Sequence, residues 1–261
     1  MKIACIGDNC IDWYVDTKKG SPGGNPVNVS VYSRRLGFDS SYIGVVGDDA
    51  NGELILSALR EKGVDVSHVR TLHGSTAVSR VRLKDGDRIL GDYDEGVMAD
   101  FRPTKEDVDF LCEHDMVVTS LWGHSEGVLE EIHSRGVPIA FDASESPFDE
   151  IAVDAAPYIT LFFFSDDSSD DEEICDTLKK IHASGPEIVI AMRGSKGSMA
   201  YDGKEFSSFG IIPVEVVDTL GAGDSYIAGF TTAWLSRQPI LKCMRAGAEC
   251  AAETIRYTGA W

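Results

Sequence analysis

Short, almost continuous apolar runs occur at residues 3–6, 42–46, 116–121, 138–141, 159–164, 188–192 and 211–217. Runs of this length and composition read as strands buried on both faces. Between most of them lie stretches whose apolar positions recur at helical spacing. Those at 25–36, 51–62, 125–135 and 169–184 each stop at a glycine, Gly37, Gly63, Gly136 and Gly185. Thr104-Lys-Glu-Asp107 has the form of a capping box and opens a further helix. The repeated strand and helix order predicts a mostly parallel α/β sheet covered by helices on both faces.

Two segments depart from this rhythm. Residues 76–83 and 88–93 alternate in side-chain character around Lys84-Asp-Gly-Asp87, a good hairpin turn, and residues 12–18 alternate loosely. They predict a small β-layer apart from the main sheet, standing over a site. A single continuous sheet would contradict that expectation.

Composition changes the picture by exclusion. Of the 261 residues 43% are hydrophobic and 26% charged, which fits a packed globular chain. The formal charge of -19 disfavours nucleic acid and anionic membrane as partners. A phosphate-bearing ligand must then be met locally, by backbone N–H groups, a helix N-terminus and Mg²⁺. The six cysteines form no Cys-x-x-Cys pair and read as free thiols. No basic stretch leads into a long apolar one, so a cytoplasmic protein is expected. The acidic run Asp166-Asp-Ser-Ser-Asp-Asp-Glu-Glu173 suits the start of a helix, with a Mg²⁺-linked role as the alternative.

The chemistry concentrates in Asp218-Thr-Leu-Gly-Ala-Gly-Asp224, which joins an apolar run to a helix. Backbone N–H groups at Gly221, Ala222 and Gly223 can close around an anion, beside which Asp224 can accept a hydroxyl proton. A tight turn whose aspartate complements the helix dipole explains the same residues equally well. A dinucleotide fingerprint does not, since Tyr226 occupies the position of its third glycine. Gly23-Gly-Asn-Pro-Val-Asn-Val29 offers a close backbone approach and the amides of Asn25 and Asn28, or a simple helix cap. Asp12 can hold two neighbouring hydroxyls or sit in a turn. Arg193-Gly-Ser-Lys-Gly197 is a flexible backbone with two cations, or a hairpin turn; it is no Walker loop. The histidines lack metal-ligand spacing, and no Gly-x-Ser-x-Gly elbow occurs.

Taken in order, Gly23-Gly-Asn25 with Asn28, Gly47-Asp-Asp49 with Gly52, Gly194-x-x-Gly197 and Asp218-Thr-x-Gly-Ala-Gly-Asp224 resemble the motifs of the ribokinase-like (PfkB) sugar kinases across essentially the whole chain. The resemblance implies one domain over residues 1–261, a three-layer α/β/α sandwich with a small β-sheet lid near residues 12–22 and 76–97. It implies transfer of the γ-phosphoryl of ATP, with Mg²⁺, to a primary alcohol, a homodimer completed through the lid, and a monovalent cation such as K⁺ near the Asp218 loop. By the same resemblance Asp224 is the base and Gly221, Ala222 and Gly223 form the anion hole. Asp12, Gly23, Gly24 and Asn28 hold the sugar. Arg193, Gly194, Ser195 and Gly197 face the nucleotide phosphates, and Gly247, Cys250 and Thr254 border the adenine.

Gly7-Asp-Asn-Cys10, the run from Gly91 to Phe101, Trp122-Gly-His124 and Gly259-Ala-Trp261 resemble the family members that phosphorylate fructoselysine at O6. That implies a fructosamine substrate, with Asp92 and Glu95 as partners for its amino-acid tail. The alternatives are another ketohexose, a nucleoside or a sugar acid as substrate, or a sugar-sensing protein that keeps a kinase fold. Two departures stand out. Phe164-Ser-Asp-Asp-Ser168 replaces the usual Asn-x-x-Glu that organises Mg²⁺, and Asp142-Ala-Ser-Glu145 lacks an expected arginine.

Overall fold

The computed structural model describes residues 1–84 and 87–261. In chain order its elements begin with β1 (Lys2–Ile6), β2 (Cys10–Tyr14), β3 (Lys19–Gly23), α1 (Asn25–Arg35), β4 (Asp39–Gly47), α2 (Ala50–Glu61), β5 (Val69–Leu72), β6 (Val78–Lys84) and β7 (Asp87–Asp94). They continue with α3 (Lys105–Leu111), β8 (Met116–Ser120), α4 (Leu129–Ser134), β9 (Ile139–Asp142), α5 (Glu150–Ala155), β10 (Leu161–Ser165) and α6 (Asp171–His182). β11 (Ile188–Met192), β12 (Ser198–Tyr201), β13 (Phe206–Phe209), α7 (Ala222–Leu235) and α8 (Ile240–Thr254) complete the chain.

Alternation within the strands builds three layers. Ala4 and Ile6 of β1 face one core with Phe162 and Phe164 of β10, while Ile3, Cys5 and Phe163 face the other. The first core packs against α3, α4, α5 and α6, through side chains such as Leu111, Ile132, Ala152 and Leu178. The second packs against α1, α2, α7 and α8, through Val31, Ile55, Phe230 and Met244. Burying a Phe or Ile side chain stabilises by roughly 1.5–3 kcal/mol, so strands apolar on both faces fold only with both helical layers in place.

The main sheet has nine strands in the order β13-β12-β11-β10-β9-β8-β1-β4-β5, parallel from β11 to β5, with β12 and β13 antiparallel at one edge. A separate sheet of four strands, β3-β2-β6-β7, stands apart from it, as the alternating segments predict. Its anchor is a third apolar cluster, in which Tyr14 and Val81 of this sheet pack on Leu220 and Ala260. The hairpin turn expected at Asp85-Gly86 lies outside the described residues.

The predicted capping box at Thr104 and Asp107 is present, and the acidic run opens α6 through a second one, Asp170 with Glu173. One predicted strand is absent. Residues 211–217 form no strand, and Ile211, Val216 and Val217 are 52%, 49% and 44% exposed. Their composition suits a strand, but they run beside α8, where Val217 donates to the Ile255 carbonyl instead of joining a ladder. Helix α4 is shorter than expected, because a 3-10 turn at Glu126–Val128 takes its first residues. Strand β3, Lys-Gly-Ser-Pro-Gly, has almost no strand formers and exists by pairing along β2.

Candidate active site

The carboxyl ends of parallel strands and the amino ends of the helices that follow them meet at one rim of the sheet, where an α/β sandwich binds ligands. Four groups converge there: Asp8 just after β1, Asp142 at the end of β9, Asn25 and Asn28 in the first turn of α1, and Asp224 in the first turn of α7. The Asn25 amide nitrogen donates to Asp142 Oδ2 at 2.9 Å and to Asp224 Oδ1 at 2.9 Å. The Asn28 amide nitrogen donates to Asp224 Oδ2 at 2.6 Å, and its oxygen accepts from the Trp261 indole at 2.8 Å. Both oxygens of Asp224 are therefore held by amides of one helix.

Asn25 has to be oriented as it is. Both hydrogens of its nitrogen go to carboxylates, while its buried oxygen has no hydrogen-bond partner. An unmet buried acceptor costs about 1–3 kcal/mol. Reversal would replace two charge-assisted bonds by an oxygen facing two carboxylates, a larger loss. The Asn25 backbone N–H adds a third link, to Asp8 Oδ2 at 3.1 Å, and Ser120 donates to Asp8 Oδ1 at 2.6 Å. Burial pushes the Asp8 carboxyl above its ordinary range, and the Asp224 charge adds to this against the two hydrogen bonds.

The glycine pair before α1 is dictated by contact. A side chain at Gly23 would begin 1.9 Å from Asp12 Oδ2, and one at Gly24, with φ of 105°, would begin 2.7 Å from the Asn9 Cα. Asp12, buried on β2, thus reaches the rim from the small sheet. Burial raises the Cys10 thiol well above its usual range, followed by the charges of Asp12, Asp8 and Asp224, which places all four groups in one neighbourhood. Tyr93 of β7 belongs to it as well, its phenol raised by burial and then by Asp8, Cys10, Glu95 and Asp12. Glu95 hydrogen-bonds His124, which has a φ of 48°. Asp92 is exposed in a bulge of β7, where Gly91 and Asp92 together face Arg80.

At the start of α7, Gly221 has φ of 76°, and a side chain there would meet Ala260 at 2.8 Å. Gly223 is different: a methyl there meets nothing closer than Met192 at 3.7 Å. The Ala222 N–H donates within the turn to the Thr219 carbonyl at 3.2 Å. Asp218 is buried and accepts from Leu220 N–H, the Tyr14 hydroxyl and Gly259 N–H at 2.9, 2.7 and 2.9 Å. It locks the small sheet and the Gly259 segment to the loop that leads into α7.

The segment Gly194 to Gly197 makes the turn between β11 and β12, with φ of 51° and 86° at its glycines; Ser195 is exposed. Arg193 is buried and engaged by Asp171 at 2.6 Å and the Ser169 carbonyl at 3.0 Å, so it clasps the start of α6. Asp167 lies beside Gly194, 3.6 Å from where a side chain there would begin. On α8, Gly247 permits close packing on Tyr226, and Thr254 is buried against the Tyr32 hydroxyl at 2.6 Å, whereas Cys250 is half-buried. Burial raises the Cys250 thiol to about 11.

Asp8, Ser120, Asp142 and Trp261 belong to this cluster although no sequence pattern had assigned them a place in it. Their partners lie far away in the chain, Asn25 and Asp142 being 117 positions apart, and local periodicity carries no such information.

An α/β sandwich with this rim and a separate small sheet has the ribokinase-like fold. The chain superimposes on Arabidopsis thaliana ribokinase, solved with ribose and ATP, at a TM-score of 0.87 and 23% identity, covering 99% of this chain and 94% of that one. Adenosine kinase of Sinorhizobium meliloti follows at 0.86 and 20%, covering 99% and 95%. The chain belongs to the pfkB family of carbohydrate kinases, whose model matches residues 2–261. It is 43% identical to the fructoselysine 6-kinase of Shigella flexneri over 259 residues, 99% of each chain, and 36% identical to the fructosamine kinase FrlD of Bacillus subtilis, over 100% of this chain and 93% of that one. No helix among the described residues is long and apolar enough to cross a membrane.

Proposed function

We propose that this sugar kinase transfers the γ-phosphoryl group of ATP to O6 of fructoselysine or a close fructosamine relative, with Asp224 as the base. The observation that carries the mechanism is the clamp on Asp224, whose two oxygens are aligned by Asn25 and Asn28 beside the glycine turn of residues 221–223. The substrate hydroxyl gives its proton to Asp224, its oxygen attacks the γ-phosphorus, and ADP leaves. Backbone N–H groups of the turn and the positive end of α7 stabilise the transferring phosphoryl group. Asp12, Gly23, Gly24 and Asn28 hold the sugar, and the small sheet serves as its lid.

The substrate class follows from the named relatives and from charge. A fructosamine carries a protonated amine, and the carboxylates of Asp8, Asp12, Asp142, Asp224 and Glu95 make a strongly negative cleft that attracts it. The same cleft repels a sugar acid. The backbone around Gly194, Ser195 and Gly197 faces the nucleotide phosphates, while Gly247, Cys250 and Thr254 shape the helix that borders the base.

Among the described residues no group of three His, Cys, Asp or Glu side chains forms a metal site. Mg²⁺ needs no such cage, since it travels on nucleotide phosphates and takes one or two carboxylates, for which Asp167 beside Gly194 is suited. When bound it neutralises charge on those phosphates. Asp218 already accepts three hydrogen bonds, which gives no support to a K⁺ site on its carboxylate. Half-exposed Trp13 and Tyr93 on the small sheet support a homodimer through that sheet, and six free cysteines support a reducing cytoplasm.

A coupled assay of ADP release across fructoselysine, other fructosamines, fructose, a nucleoside and a sugar acid tests the assignment. Fructoselysine should have the highest kcat/KM. Equal turnover of free fructose would overturn the fructosamine reading, and tight sugar binding without ADP release would overturn catalysis.

A further inference from the structure

We infer that Asn25 is a positioning residue for Asp224, and that Asp142 is the anchor that fixes the Asn25 amide. The inference rests on the reading of Asp224 as the base. The geometry is specific: one amide nitrogen spans two carboxylates at 2.9 Å each, one at the end of β9 and one at the start of α7.

Such a bridge does three things. It fixes the rotation of the Asp224 carboxylate about its own axis, because Asn28 holds the other oxygen from the same helix. A carboxylate accepts a proton well only along its lone-pair directions, so orientation governs how directly a hydroxyl can donate to it. The bridge also keeps Asp142 and Asp224 from facing each other directly, by inserting positive N–H hydrogens between them. Finally, it ties both to Asp8, whose Oδ2 accepts the Asn25 backbone N–H.

An asparagine meets these demands where neighbouring chemistries fail. Alanine supplies no donor. Aspartate has the same shape but presents oxygens to two carboxylates. The unpartnered Asn25 oxygen argues that the nitrogen side sets the conformation, since the other end of the amide makes no bond that could hold it.

Steady-state kinetics with the full chain and fructoselysine test this. Asn25→Ala should lower kcat by about 10- to 100-fold while leaving the sugar KM within about threefold, the pattern of an interaction felt in the transition state. Asn25→Asp should be more damaging than alanine despite its matching shape. Asp142→Asn, which lets the amide turn over, should lower kcat by a smaller factor and serves as the second variant if either change at Asn25 unfolds the chain; thermal melting monitors each. Placed in an Asp224→Asn background, Asn25→Ala should have no further effect on residual turnover, because its partner is already disabled.

A rise in KM at unchanged kcat would make Asn25 a sugar contact and overturn the inference. So would an Asn25→Asp variant as active as the native protein, an Asp142→Asn variant with unchanged kcat, or an equal effect of Asn25→Ala with and without Asp224. Near-native turnover in Asp224→Asn alone would instead remove the base assignment.

Discussion

Asn28 and Asp224, 196 positions apart in the chain, are joined by a hydrogen bond of 2.6 Å. The bond is itself buttressed, since the Asn28 oxygen accepts the indole N–H of Trp261 at 2.8 Å. A residue from the Gly259 segment thereby sets the rotamer of an amide that sets the rotamer of the candidate base.

Trp261→Phe keeps the ring and removes the donor. A neutral hydrogen bond contributes about 0.5–1.5 kcal/mol, so kcat should fall by roughly 2- to 10-fold, with a smaller change in melting temperature than a ring deletion gives. Unchanged kcat would show that Asn28 holds its orientation without the indole.

Asp224→Asn keeps the shape of the side chain and removes its ability to take a proton. Turnover should drop by about 10²- to 10⁴-fold, the range of general-base catalysis. Calorimetric titration with the sugar should still show binding. Turnover near the native value would refute the assigned role.

The glycines should separate into two groups under substitution by alanine. Gly23→Ala drives a methyl into Asp12 and should raise the sugar KM strongly, and Gly221→Ala forces a side chain into φ of 76° and against Ala260, which should lower the melting temperature. Gly223→Ala meets only ordinary contact and should fold normally, so any loss of its kcat reports crowding of the transferring phosphoryl group. Circular dichroism melts alongside kinetics distinguish the cases.

Asp8 has a pH signature. Burial raises its carboxyl in the folded chain, so the protonated form is favoured by folding. Its contribution to stability is intact below the ordinary carboxylate pKa and is lost as pH rises through the raised folded value. Asp8→Asn should therefore melt higher than the native chain at neutral pH, with the gap closing below about pH 4. An equal gap at both pH values would show that the shift in Asp8 is absent.

Much of this was legible before any coordinates. The strand at Phe162 to Phe164 declares burial on both faces, the glycine after each helix declares its end, and the alternating segments declare a second sheet. The failure at residues 211–217 has a plain cause: β-branched residues announce a strand only if a neighbour exists to pair with, and none stands beside them. Strand β3 is the converse, since five residues poor in strand formers extend because β2 supplies the ladder.

The order of the glycine, asparagine and aspartate motifs along the sequence determined the family, because those motifs encode backbone approach and helix starts, which are local. What only the tertiary structure decided is the company those residues keep. Asp8, Asp142 and Trp261 come to Asn25, Asn28 and Asp224 because parallel strands end at a common rim, and hydrogen bonds between segments over a hundred positions apart leave no periodic trace in the chain.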